Sequence, residues 1–318
     1  MCLSGAAFSI APASADASFR RYFRVTLLRS TLIAMDAPPP QENCRPFVVV
    51  ARLLRAAGVN APEVLAEDLE RGFLLLSDLG STTYLAALGQ DSAPRLYRDA
   101  TTALIRMQVA APADRLPAYD RALLQRELDL FPEWYAARHR GATWSGAERA
   151  QWQRGCEALL ANNLAQPAVF VHRDYHSRNL MVCDDNPGVL DFQDAVHGPI
   201  TYDLVSLLKD AYIQWGEEFV LDQAARYWSQ ARRAGLPVRT DFAAFYRDFE
   251  WMGVQRQLKV LGIFARLYHR DGKAAYLADM PRVASGLRAA CERYAELRPL
   301  LAMVDQAEET VVRTGITF

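Results

Sequence analysis

The chain has 318 residues, 51% of them hydrophobic and 23% charged, enough to bury one large core or two adjoining ones. Its 36 Lys and Arg against 37 Asp and Glu leave a net charge of −1, so no blanket of positive charge exists to hold nucleic acid or an anionic membrane, although a local basic patch is compatible with it. No run approaches the length of apolar sequence that a transmembrane helix requires.

The five cysteines (Cys2, Cys44, Cys156, Cys183, Cys291) are odd in number, scattered and without a C-x-x-C pair. That pattern fits reduced thiols better than a disulfide framework or a zinc site. The N-terminus, MCLSGAAFSIAPASA, has the small apolar residues of a signal peptide but lacks its positive start and is interrupted by Ser4, Gly5, Ser9 and Pro12. A cytoplasmic location is the expectation.

In chain order, residues 1–17 read as loose chain or as a wrap onto the first lobe. Ser18 to Val25 alternates large apolar and basic residues, as a half-buried strand does, and Ser30 to Met35 reads as its partner before Pro38-Pro39-Pro40 breaks the chain. Arg45 to Ala57 has apolar residues at helical spacing and a stop at Gly58. Glu63 to Ala66 and Phe73 to Leu76 read as two short strands around an Arg71-Gly72 turn. Residues 1–78 are thus expected to form a small β-rich, nucleotide-binding lobe with one helix, and 79–318 a larger, mostly helical one. Ser77-Asp78-Leu79-Gly80-Ser81 is the composition break between them, and Asp78 is counted with the nucleotide-binding residues.

Helical spacing then runs through 83–89, 93–110, 120–139 and 147–164, and again through 202–215, 217–234, 241–267, 273–277 and 283–304. One strand-rich stretch interrupts it: VFVHRDYHSRNLMVCDDNPGVLDFQD, from Val169 to Asp194. An apolar run leads into His172-Arg173-Asp174, Asn179 follows five residues beyond Asp174, and Val189-Leu190 delivers Asp191-Phe192. Strand, polar loop, short strand, Asn186-Pro187-Gly188 turn and strand is how a buried hairpin presents charged groups at one edge. The order and spacing match the H-R-D-x-x-x-x-N and D-F motifs of phosphoryl transfer: a carboxylate for the hydroxyl proton, an amide oxygen and a second carboxylate.

Asp174 is accordingly the expected catalytic base, and Asn179 and Asp191 are the expected Mg²⁺ ligands, since oxygen donors suit a hard cation. His172 props the loop. The His172-x-x-x-His176 spacing would suit zinc only on a helix. Asp194 reads as a ligand for a substrate hydroxyl or as a loop hydrogen-bonder. Asp203 reads as the N-cap of the helix beginning at Leu204 in preference to a substrate ligand.

The first lobe departs from the protein-kinase pattern. The three lysines are Lys209, Lys259 and Lys273, so none stands on the strand Ile33-Ala34-Met35-Asp36, and no G-x-G-x-x-G loop is present. Arg20, Arg21 and Arg24 are the clustered cations that can replace the lysine as phosphate forks, or else they line a solvated strand face. The missing lysine leaves open a catalytically silent nucleotide-binding regulator. A protein kinase is disfavoured because Asp191 leads within a dozen residues to Asp203, without room for an activation loop.

With these residues in view, the chain resembles the aminoglycoside phosphotransferase family, the small-molecule branch of the kinase-like fold. Four segments carry a closer likeness to its amino-sugar kinases: Ala17–Val25, Glu127–Tyr135, Val171–Leu207, and Met252–Arg266 with Arg270-Asp-Gly-Lys273. The Met35–Pro38 strand ending also looks like that subfamily. The resemblance implies an α+β, two-lobed protein-kinase-like fold with ATP and Mg²⁺ as cofactors. It further implies phosphorylation of N-acetylmuramate and N-acetylglucosamine at the anomeric C1 hydroxyl in cell-wall recycling. No nucleic acid, membrane or obligate protein partner is indicated. Arg173, where antibiotic-modifying members commonly carry glycine, and the lack of an acidic cluster for a polycation weigh against an aminoglycoside acceptor; another small hydroxylated metabolite is the alternative. Within 241–267, Val254, Leu258, Leu261 and Phe264 face a core and leave Gln255, Arg256 and Lys259 on another side. Arg256 is the candidate for the lactyl carboxylate of N-acetylmuramate, with a solvated or salt-bridged arginine as the alternative.

Overall fold

The computed structural model describes residues 7–15 and 19–314, which fall into two compact units: residues 1–116 with 172–196, and 117–171 with 197–318. The first unit contains the whole of the expected nucleotide-binding lobe and the hairpin of the motif stretch. Five antiparallel strands, β1 (Ser9–Ala15), β2 (Arg21–Thr26), β3 (Thr31–Asp36), β4 (Val64–Asp68) and β5 (Phe73–Ser77), form one sheet in the order β1-β2-β3-β5-β4. The strand β1 takes the second of the two expectations for residues 1–17, a wrap onto the first lobe, in preference to loose chain. Its Ser-Ile-Ala-Pro-Ala-Ser-Ala sequence lacks the large alternating residues of a half-buried strand. It succeeds as an edge strand, where Pro12 is tolerated and the register shifts between Pro12 and Ser14.

Helix α1 (Arg45–Ala56) buries Phe47, Val48, Ala51 and Leu54, the face its spacing indicated, and Gly58 follows it at φ 73°. A single turn, α2 (Tyr84–Ala87), precedes α3 (Ala93–Ala110), which buries Leu96, Tyr97, Ala100, Leu104 and Met107 at helical spacing. The later hairpin of this unit pairs two very short strands, Leu180–Met181 and Gly188–Val189. So brief a ladder is stabilised by its neighbours. The Val182 N–H donates to the Thr82 carbonyl at 2.8 Å, the Val189 N–H to Asn60 at 2.8 Å, and the Leu85 N–H to Ser177 at 3.0 Å.

The described residues of the second unit are mostly helical; the short strand Ala168–Val171 lies in it, and the strand Val196–Pro199 begins at the last residue of the first unit. The expected 120–139 helix is two elements: α4 (Arg121–Leu128), capped by Asp120 on the Leu123 N–H, and a wider π-type helix over Phe131–His139 with Pro132 in its first turn. A Ser145–Glu148 capping box opens α5 (Gly146–Leu164). The short helix α6 (Tyr202–Leu208) stops seven residues before its expected end, because Asp210 takes the Tyr212 N–H at 2.9 Å into a local turn. Next come α7 (Glu217–Arg233), α8 (Phe242–Asp271), a 3₁₀ turn at Ala274–Asp279, α9 (Met280–Arg293) and α10 (Arg298–Thr314). The expected single helix over 283–304 is broken at Tyr294, and Pro299 suits the first turn of the new helix. Among the described residues, no helix is long and apolar enough to cross a membrane.

The helix α8 is the centre of this unit, capped by Asp241 on the Ala244 N–H and ended by Gly272 at φ 68°. Its polar residues are not on an open face. Gln255, Arg256 and Lys259 are buried along with Val254, Leu258 and Leu261, because α6, α9 and the Phe131–His139 helix pack around it. Close approach to the last of these depends on Gly262: a Cβ there would lie 2.5 Å from the Leu130 carbonyl carbon. Gly262→Ala should therefore lower the urea midpoint by an amount equivalent to about 1–3 kcal/mol of overpacking, with no change in m-value.

Candidate active site

The polar loop is built by the hydrogen bonds of its own short side chains. His172 is buried, and its Nδ1 accepts the Asp174 N–H at 3.2 Å, the propping role its position suggested. The His176 N–H donates to the Asp174 carbonyl (3.1 Å) and the Asn179 N–H to the His176 carbonyl (2.9 Å), which curls the loop back on itself. Asn179 then joins its ends. Its Nδ2 donates to the Asp174 carbonyl oxygen at 3.0 Å and to Asp191 Oδ2 at 3.1 Å, while the Leu190 N–H returns to the Asn179 carbonyl at 2.9 Å. Asp174, Asn179 and Asp191 are thereby brought together, as their spacing required. Gln193 Nε2 donates to Asp191 Oδ1 at 2.8 Å, and Phe192 is buried with its ring 4.7 Å from that of Phe47 on α1.

Two residues of this loop are non-glycine residues in the left-handed region, Arg173 at φ 78° and Asp191 at φ 62°. Such positions cost on the order of 1–3 kcal/mol and persist where the surroundings impose them. Glycine, which the antibiotic-modifying members of the resembled family commonly carry at the position of Arg173, is the residue that adopts this conformation without strain.

A cleft of about 530 Å³ opens beside the loop. One wall is the register row Arg24–Ile33–Leu76 across β2, β3 and β5, together with Tyr22; the other carries Asn179, Met181, Leu190 and Asp191. Ser77–Ser81 form an edge, and Arg178, which the sequence reading passed over, lines it as well. The strand position searched for a lysine thus presents Ile33.

The arginine cluster divides. Arg24 is forked on Asp78, at 2.6 Å from Nε to Oδ2 and 3.1 Å from Nη2 to Oδ1, and also donates to the Gly80 carbonyl at 2.8 Å. Burial pushes the Asp78 carboxyl pKa up, but hydrogen bonds from Arg24, Thr31 and the Gly80 N–H hold it below its ordinary value. Arg21 pairs with Asp36, its neighbour across the strands, and is mostly exposed. Arg20 lies against the site: its Nη2 is 3.9 Å from Asp191 Oδ1 and its Nε 3.9 Å from Glu42 Oε2.

Asp194 is exposed, and its carbonyl oxygen accepts from Arg173 Nη1 at 3.5 Å. Arg256 belongs to the second unit and is buried there, neither solvated nor on an open face. Its Nη1 donates to the Tyr202 hydroxyl at 3.3 Å, and Lys259 Nζ donates to the same hydroxyl at 3.0 Å and pairs with Glu127 at 3.0 Å. The Tyr119 hydroxyl also bonds to Glu127. Asp203 is buried in the first turn of α6, whose cap position is Thr201, so the expected N-cap role is replaced. Nothing in the spacing of Tyr119, Glu127, Tyr202 and Lys259 marks them as a cluster. They meet only when α4, α6 and α8 pack.

A model of the phosphotransferase enzyme family matches residues 9–237. An N-acetylmuramate/N-acetylglucosamine kinase of Pseudomonas aeruginosa is 55% identical over 301 residues, covering 94% of this chain and 89% of that protein. One from Neisseria meningitidis is 50% identical and covers 98% and 94%. Among solved structures, a choline/ethanolamine kinase family protein of Mesorhizobium loti aligns with a TM-score of 0.64 at 17% identity, covering 95% and 94%. An ADP-bound aminoglycoside phosphotransferase aligns with a TM-score of 0.58 at 14% identity, covering 88% and 93%. At those identities the two structures establish the fold, the kinase-like α+β arrangement of a small antiparallel sheet and a larger helical part.

The Arg24–Asp78 pair has a pH signature. Its folded pKa lies below the ordinary carboxylate value near 3.8, so the unfolded chain takes up this proton more readily. The contribution to stability is complete above that ordinary value and is lost as pH falls through the depressed one. Asp78→Asn should cost about 1–3 kcal/mol in urea unfolding at pH 7. Its deficit against the unmutated chain should narrow only below the ordinary value.

Proposed function

The chain belongs to the phosphotransferase enzyme family, and on that footing we propose that it transfers the terminal phosphoryl group of ATP to the anomeric C1 hydroxyl of N-acetylmuramate and N-acetylglucosamine, in the recycling of peptidoglycan. The observation that carries this reading is Asn179 bonded to both the Asp174 loop and the Asp191 carboxylate, in a chain half identical along nearly its whole length to kinases of those sugars.

Asp174 is proposed as the base. A hemiacetal hydroxyl is more acidic than an ordinary alcohol, so an unmodified aspartate suffices to orient it and accept its proton late in the transfer. The residues present suit Mg²⁺. The Asn179 amide oxygen and the Asp191 carboxylate are hard oxygen donors on side chains joined by the Asn179 Nδ2–Asp191 Oδ2 hydrogen bond, and Gln193 fixes that carboxylate. When bound, the cation supplies neutralisation of the phosphate charge as it builds up.

The nucleotide base is assigned to the cleft, where Ile33 and Leu76 on one wall and Met181 and Leu190 on the other offer apolar faces to a flat ring. Residues 1–78 are proposed as the nucleotide-binding lobe, with Ser77–Ser81 as the hinge. Arg24 and Asp78, locked on each other, shape that hinge, and Arg21 faces Asp36, so Arg20 is the arginine proposed for the phosphates. Asp194 is assigned to a sugar hydroxyl and Arg256 to the lactyl carboxylate of N-acetylmuramate.

Phosphorus NMR of the protein incubated with ATP, Mg²⁺ and a panel of sugars and aminoglycosides tests the reading directly: an anomeric phosphate from either sugar is expected, and a phosphate elsewhere discards the acceptor. Asp174→Asn should retain nucleotide binding while turnover falls by about 10²–10⁴; a near-normal rate removes Asp174 as base. Arg256→Ala should lower efficiency more for N-acetylmuramate than for N-acetylglucosamine, and an equal loss on both removes the carboxylate role.

A further inference from the structure

The β3 strand presents Ile33 to the cleft, Arg24 is forked on Asp78, and Arg21 is paired with Asp36. Arg20 differs from both. It stands between two carboxylates, 3.9 Å from Glu42 on one side and 3.9 Å from Asp191 on the other, with a side chain only 12% exposed. Glu42 also holds the backbone next to it, because its Oε1 accepts the Phe19 N–H at 3.1 Å. One carboxylate thus fixes the chain at residue 19 and the guanidinium at residue 20.

Glu42 is itself held from behind. Its N–H donates to the Pro38 carbonyl at 3.1 Å, and the Ala37 N–H donates to the Gly72 carbonyl at 2.8 Å. The second contact is so close that a Cβ at Gly72 would lie 2.0 Å from the Ala37 carbonyl oxygen, and Gly72 has φ 77°. A few residues further on, α1 sets Phe47 against Phe192. The segment from Ala37 to Phe47 therefore bears on the Asp191-Phe192 pair twice, through Glu42 on the Arg20 that lies beside Asp191 and through Phe47 on Phe192.

We propose that Glu42 is a positioning residue that holds the Arg20 guanidinium beside Asp191 for the nucleotide phosphates, the two together supplying from loop residues the ion pair that the lysine-free β3 strand does not provide. An arginine has many rotamers, and one facing Asp191 alone would close on that carboxylate. A second carboxylate on its far side balances the pull and keeps the fork turned toward an incoming phosphate. Protein kinases need a lysine–glutamate pair in place before transfer. The proposal rests on the reading of the chain as a nucleotide-dependent kinase.

The test is a double-mutant cycle on Arg20→Gln and Glu42→Gln, read as the dissociation constant of a fluorescent ATP analogue with Mg²⁺, alongside KM for ATP, kcat and Tm. Each single variant should weaken nucleotide binding by about tenfold or more, as loss of a charged hydrogen-bonding partner does, and the double variant should be no weaker than Arg20→Gln alone. Glu42→Asp should recover part of the loss, and Tm should change little throughout. Multiplying effects, or full affinity in Glu42→Gln, would overturn the proposal. So would a fall in Tm that accounts for the lost binding. Coupled loss of binding in a protein that phosphorylates none of the sugars leaves Glu42 in its role and removes the acceptor reading. A wild-type chain that binds no nucleotide removes both.

Discussion

Two carboxylates on one short hairpin repel each other and draw water, and what holds Asp174 and Asp191 in a common site is the side-chain amide of Asn179. It donates to the carbonyl of one and the carboxylate of the other. An amide is suited to this task because it has two donor hydrogens on one side and an acceptor on the other, so fixing the donors also aims the oxygen. The two-residue strands of the hairpin hold too few ladder bonds to fix that arrangement. Ties to Thr82, Asn60 and Leu85 make up the deficit. The left-handed backbone at Arg173 and Asp191 belongs to the same local geometry.

The positive charge opposite this site is divided by the pleat. Successive residues of a strand face opposite sides, so Arg24 points with Tyr22 into the cleft while Arg21 meets Asp36. Arg24 is then held by Asp78 and Gly80 through its Nε and Nη2 and acts as a strut at the Ser77–Ser81 edge. Arg20, outside the strand, escapes the alternation and lies against Asp191.

In the second unit the organising element is α8, whose buried Arg256 and Lys259 converge on one tyrosine hydroxyl. Buried cations require partners, and Glu127 and Tyr202 answer that requirement from two other helices. The helix reads as amphipathic in sequence because charge there is taken for exposure. A helix packed on all sides breaks that assumption when its polar residues find one another.

The sequence by itself determined the candidate-site stretch. The order and spacing of His172, Asp174, Asn179 and Asp191 behind two apolar runs depend on local backbone geometry, and local geometry is what spacing encodes. It also determined α1, α3, α5 and α7, whose period of 3.6 follows from a single buried face, and the strands β2 to β5, whose apolar runs end at turn residues. Tertiary structure decided the rest. The edge strand β1 has no pattern of its own and exists because β2 offers it a ladder. The helix near Leu208 ends at an aspartate turn and the one before Tyr294 breaks there, with Pro299 in the first turn of the next helix, against an apolar spacing that continued through both. The function of each arginine was beyond reach of the pattern, since Arg20, Arg21 and Arg24 look alike in sequence. Only the partners brought by the fold, Asp191 and Glu42 for the first, Asp36 for the second and Asp78 for the third, tell them apart. Ion pairs between residues distant in the chain leave no period in it.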